Sequence, residues 1–287
     1  PGDKRHGCWN EVVVSRSKVL RTELASVRLP VFALMNTLTP PVCFLPPSTF
    51  RSDGHLIESP EQVDDKPVLM SHREVELLLH NFGYGLRVAL VSADYTAASR
   101  PHGVEWDAVE IPSMFLRMFC TSRRALSMMS GHYATGEPLP DDLYDKLVAS
   151  RKFMAATTKL DQLRKSALDL ELYHRYDPTS TESIFDIQHR VSKGFAVLPP
   201  VAEDTQLCNV PHIFSDLYAW SEVYAADAFA AFAAVEATDV DEWRALGRSF
   251  RDNVFSKLGI VHPMDAFKQF RGRQPSTDAL LERIGLS

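Results

Sequence analysis

Cysteine is sparse in this chain of 287 residues: Cys8, Cys43, Cys120 and Cys208 lie far apart and form no C-x-x-C pair. That spacing excludes a zinc knuckle or a disulfide framework and fits a reducing compartment. No apolar run approaches the roughly 18 residues that a membrane span requires. Charge of one sign is also lacking. The net charge of −6 gives no general argument for nucleic-acid binding. Residues 1–28 carry six Lys/Arg against three Asp/Glu. They read as a solvated basic face, and an RNA contact through them is not favoured. There is no G-x-S-x-G nucleophile elbow. Gly83-x-Gly85 lacks the third glycine and the preceding strand of a phosphate loop. Internal repeats, low-complexity tracts and heptads are missing too. The first residue is Pro1 and not Met. This leads to the expectation of a processed product, a fragment or a part of something longer, with any targeting segment already gone.

What is present is ordinary globular material. Hydrophobic residues make up 45% and charged residues 24%, enough apolar surface for a sizeable core. The expected fold class is mainly α with a small β element near the N-terminus, in one domain over 1–287. Glu11-Val12-Val13-Val14 and Val31-Phe32-Ala33-Leu34-Met35 read as strands. Residues 37–67, with Pro40-Pro41 and Pro46-Pro47, read as a long loop. Helical patterns follow over 71–90, 107–119, 181–193, 214–235, 241–255, 263–270 and 277–284. Pro112 is expected to interrupt its helix early. Asp141 or Asp142 is expected to cap one long helix reaching Tyr176, and Ser276 to cap the last one. Phe229 to Ala234 reads as a core helix face.

The stretch 71–90 carries the chemistry. It has the outline of a zinc-protease helix, in which His-Glu-x-x-His sets two metal ligands on one face beside a general base. Here His80 takes the first His position, Asn81 the Glu position and Tyr84 the second His position. An amide cannot take a proton from water, and a phenol is a poor zinc ligand. Val75, Leu78, Leu79, Phe82, Leu86 and Leu90 are expected to form the buried stripe of this helix. Gly83 and Gly85 each cost about 1 kcal/mol of helix propensity against Ala, so both imply close packing.

Longer segments sharpen the reading. Lys4-Arg5-His6-Gly7-Cys8-Trp9, Lys66 to Val75, Trp106 to Ser113, Ser130 to Pro140 and Pro263 to Arg273 occur in order. They resemble the catalytic half of the thimet-oligopeptidase-like zinc metallopeptidases, and most closely the oligopeptidase A and peptidyl-dipeptidase branch. The resemblance implies a zincin-like fold. It also implies that Glu110, 30 positions beyond His80, stands where the family has its third zinc ligand. Several family positions differ. Arg117 replaces an expected Glu, and Ser215 and Asp216 fall where the family has a substrate-clamping tyrosine pair.

These departures lead to a negative expectation: a pseudoenzyme, not an enzyme, without zinc. The vestigial ligand positions are His80, Tyr84 and Glu110, and the degenerate catalytic positions are Asn81, Ser215 and Asp216. His80, Tyr84, Glu110 and Arg117 are expected to form a buried polar cluster. Arg271-Gly272-Arg273 reads as a helix-end feature. The expected role is structural, as a subunit among other protein subunits of a larger assembly, mitochondrial or otherwise cytoplasmic. A peptide-binding module and a residual zinc metalloendopeptidase are the alternatives.

Overall fold

The computed structural model describes residues 8–21, 25–36, 70–100, 103–198, 201, 206–209, 219–235 and 239–286. The loop expected over 37–67 lies outside them, as do Ser215 and Asp216. Strands β1 (Cys8–Val14) and β2 (Val31–Asn36) pair antiparallel, with Val12 opposite Phe32 and a bulge between Val12 and Val14. Helices follow: α1 (His72–Leu90), α2 (Thr96–Ser99), α3 (Ile111–Met118), α4 (Arg123–Met129), α5 (Asp141–Lys152) and α6 (Ala155–Leu170). Then come α7 (Ile184–Ser192), α8 (Ala219–Ala233), α9 (Val240–Phe250), α10 (Pro263–Arg271) and α11 (Asp278–Ile284). The described chain is mainly helical with one small sheet, as the pattern indicates.

Local chemistry sets the helix ends. Ser71 and Glu74 form a capping box on α1, the Glu74 carboxylate accepting from the Ser71 N–H at 2.7 Å. Ser183 and Asp186 do the same for α7. Pro112 opens α3 instead of interrupting it, because the first helical turn needs no N–H donor there. The helix expected to run from residue 141 to Tyr176 is broken. Met154 takes φ +52, and α5 ends before this corner while α6 begins after it. At the last helix Ser276 accepts from the Asp278 N–H at 3.2 Å, although Thr277 holds the cap position.

The core is aromatic. α3 contributes Phe115, α8 contributes Phe229 and Phe232, and Phe250 closes α9. Phe115 stacks on Phe250 with centroids 3.8 Å apart and meets Phe119 edge-on at 5.4 Å. Such pairs add about 0.5–1.5 kcal/mol each beyond area burial. Phe229 and Phe232 are therefore core, as read from the sequence. No described helix is long and apolar enough to cross a membrane.

A buried carboxylate fixes the C-terminal part to α8. Asp227 is fully buried and accepts from Arg273 at 2.6 Å on both oxygens, from Arg271 at 3.3 Å and from the Ser276 N–H at 2.7 Å. Gly272, at φ +74, turns α10 so that both arginines reach it. The Arg271-Gly272-Arg273 run is thus a helix-end device.

Candidate functional site

α1 and α3 pack closely enough to bring His80 and Glu110 together. A Cβ at Gly83 would lie 2.5 Å from the Pro112 carbonyl oxygen and 2.8 Å from the Ser113 Cα. Only glycine lets the two backbones approach this far. At Gly85 a Cβ would meet the Phe32 ring of β2 at 2.3 Å. The two glycines seat α1 between the sheet and α3.

The face α1 turns inward is only partly the expected stripe: Leu86 and Leu90 pack against the core, but the middle of the stripe does not. Leu78 and Phe82 are exposed, at 36% and 42%, with Leu77 beside them. Buried in their place are Glu76, Asn81, Gly83, Gly85, Arg87 and Val88. The glycine face, being the thinnest, decides which side packs, and the polar residues on that side are buried with it.

Glu110 sits at the cap position of α3, and its Oε2 lies 3.2 Å from His80 Nε2. The contact has the distance of an ion pair without hydrogen-bond alignment: Glu110 Oε2 and His80 Nδ1 are buried and make no hydrogen bond. Tyr84, one turn on, is half-buried. Burial pushes its phenol up to about 12; the Arg87 charge works against this, while Glu110 and Glu11 add to it. Asn81 is buried at 3% exposure.

Arg117 is not part of this group. It turns to Glu76 at 3.7 Å, where His72 (3.8 Å) and Arg151 also converge. Glu76 was missed in the sequence, although its spacing to His72 and His80 (four residues each way) puts all three on one helix face. Arg87 is buried as well and donates to the carbonyls of Leu258 (3.1 Å), Ser99 (3.4 Å) and Ala98 (3.5 Å). Burial brings its guanidinium down to about 10, with Tyr84 opposing. At the N-terminus Arg16 and Lys18 both pair with Asp94, at 3.2 and 2.8 Å, which removes two cations from the basic stretch.

A catalytic zinc ion needs three protein ligands and an open position. This donor set does not fit one. His80 and Glu110 face each other, the second-His position holds a phenol that stays protonated, and the base position holds an amide. Among the described residues no three His, Cys, Asp or Glu side chains converge as a metal site. The pair can instead do proton chemistry. It brings together an imidazole and a carboxylate, two side-chain types that commonly move protons.

Comparison with known proteins places this geometry in context. Residues 2–286 match the model of Peptidase family M3. The organellar oligopeptidase A, chloroplastic/mitochondrial, of Arabidopsis thaliana is 40% identical over 293 residues, covering 100% of this chain and 34% of that protein. The probable cytosolic oligopeptidase A of the same plant is 39% identical, covering 100% of this chain and 39% of its own length. Oligopeptidase A of Escherichia coli (strain K12) is 39% identical over 235 residues, 78% of this chain and 33% of its own. The chain thus spans about a third of the length of the curated relatives it matches. These relatives correct the expectation that the chain is not an enzyme: proteins this similar are named as peptidases, and they point to a peptidase. With a match running from one end to the other and His80 and Glu110 meeting across α1 and α3, the chain belongs to Peptidase family M3.

Proposed function

We propose that this chain is the site-bearing part of an oligopeptidase of the oligopeptidase A type, acting on short peptides, with His80 and Glu110 as its proton-handling centre. The single observation that carries the reading is the approach of His80 Nε2 to Glu110 Oε2 at 3.2 Å within a frame matched over residues 2–286. The imidazole and the carboxylate together are the candidate acceptor for a proton from the water that attacks the peptide carbonyl. Asn81, an amide, orients and does not accept that proton. Positioned general-base catalysis of this kind contributes about 10²–10⁴ in rate. The donor set supports a centre that works without zinc.

The relatives' names support an organellar compartment in one case and a cytosolic one in the other. The exposed Leu77, Leu78 and Phe82 on α1 support a covering partner, from the rest of the natural chain or from another subunit.

The test is cleavage and binding of quenched fluorescent peptides by the protein at its natural length, with and without a chelator. Cleavage is expected to survive chelation and to fall at least about tenfold in His80→Ala and in Glu110→Ala. Loss of all activity on chelation, restored by zinc, would overturn the metal-free centre. Neither cleavage nor saturable peptide binding would overturn the peptidase reading.

A further inference from the structure

Proton transfer is only half of peptide cleavage. As water adds to the scissile carbonyl, negative charge gathers on the carbonyl oxygen. A hydrogen-bond donor fixed there in advance lowers the barrier. Most donors near His80 and Glu110 are unable to serve. Asn81 and Ser113 are buried. Arg87 is buried too and donates to the carbonyls of Leu258, Ser99 and Ala98. Arg117 turns to Glu76.

Tyr84 is placed differently. It lies four residues after His80, so the two side chains stand one turn apart on the same face of α1. Glu110 is close enough to act on the phenol electrostatically, as are Arg87 and Glu11. The ring is half-buried, yet the hydroxyl is not sealed off and makes no hydrogen bond among the described residues. A phenol in this state has its one donor to give.

The backbone under Tyr84 is fixed on both sides. Gly83 lets α1 close on Pro112 and Ser113, and Gly85 lets it close on the Phe32 ring. A donor carried on so tightly seated a turn needs little reorganisation during reaction. The phenol also keeps its proton throughout the neutral range, because burial raises its pKa to about 12.

We propose that Tyr84 is a catalytic residue, its O–H donating to the scissile carbonyl oxygen as that oxygen becomes an oxyanion. This role rests on the peptidase reading of the chain. In the addition step the water oxygen bonds to the carbonyl carbon, and the carbonyl π pair moves onto its oxygen. One water proton passes to the His80 and Glu110 pair, while Tyr84 keeps its own proton and shares it with the oxyanion. In the collapse step the π bond re-forms, the C–N bond breaks and the leaving nitrogen takes the proton back from the pair. Water is the sole co-reactant.

The test uses the protein at its natural length and two uncleavable peptides. One is a ketomethylene isostere with a planar, neutral carbonyl. The other is a phosphinate isostere with a tetrahedral, negatively charged centre. Binding is measured by calorimetry with a chelator present, so that no stray metal holds the phosphinate. In Tyr84→Phe the phosphinate is expected to bind at least about tenfold more weakly, while the ketomethylene Kd changes less than about threefold. Turnover of a quenched fluorescent peptide is expected to fall about 10²–10³-fold in kcat with KM nearly unchanged. The hydroxyl has no partner to lose, so the melting temperature is expected to stay the same. A packing role would not move the ratio of the two affinities. Phosphinate affinity unchanged in Tyr84→Phe, or both isosteres weakened alike, would overturn the role of Tyr84 and leave the peptidase reading standing. Binding of neither isostere by the unsubstituted protein would overturn both.

Discussion

Asp227 and Glu110 are both acids withdrawn from solvent, and they are treated in opposite ways. Asp227 is surrounded by two arginines and a backbone N–H, so each of its oxygens is engaged. Glu110 keeps one buried oxygen without a hydrogen bond, close to an imidazole that also has a buried nitrogen to spare. The first arrangement holds two segments together and has no capacity left for chemistry. The second leaves buried polar atoms of both groups without a hydrogen bond, and the close approach of α1 to α3 is made beside it, by backbone at Gly83. A carboxylate's role can be read from how completely it is satisfied.

The comparison can be broken most directly at Asp227. Asp227→Ala leaves two arginines facing a buried gap and is expected to cost about 3–5 kcal/mol in denaturant unfolding. Should it cost no more than Glu110→Ala, the distinction fails. Gly83→Ala comes next. Its Cβ would strike the Pro112 carbonyl, and a loss of about 1–3 kcal/mol is expected, with peptide turnover falling as His80 and Glu110 are pushed apart. Glu110→Gln keeps the shape and removes the charge. Its stability is expected to stay within about 1 kcal/mol while turnover drops about 10²-fold, a split that calorimetry and kinetics measure together. Gly247→Ala is the control, since nothing lies within 4 Å of its added methyl group; a gain of about 0.5–1 kcal/mol is expected.

Alkaline titration sharpens the same contrast. The Tyr84 pKa is raised from the ordinary 10.0 to about 12 in the folded state. The unfolded chain therefore loses that proton first, so the stabilisation is complete below pH 10.0 and declines as pH rises from there to about 12. Tyrosinate absorbance should show a late step that Tyr84→Phe removes. A step remaining in that variant at the same amplitude would mean that the phenol is not held as described.

Much of the fold was legible because it is written in local chemistry. β1 and β2 follow from alternating β-branched residues, and the α1 start follows from Ser71 with Glu74 three residues later. The His80 and Glu110 pair came from resemblance, since 30 positions of separation say nothing about contact in a sequence alone. Two features were hidden for physical reasons. The buried face of α1 was misread because hydrophobic periodicity ignores the space a missing Cβ creates, and Gly83 and Gly85 outweighed Leu78 and Phe82. Arg117 was expected in one cluster with His80, Tyr84 and Glu110, yet its side chain reaches Glu76, an acid of α1.

The corner at Met154 has a consequence for the outline of the molecule. Had residues 141–175 continued as one helix, they would form a rod of about 52 Å. A single residue in left-handed conformation, costing about 1–2 kcal/mol, separates α5 from α6 instead. Phe153 and Met154 are left jutting outward at 77% and 58% exposure. A glycine at 154 would relieve the distortion, so this one position holds local strain in exchange for ending α5 and starting α6 in a new direction.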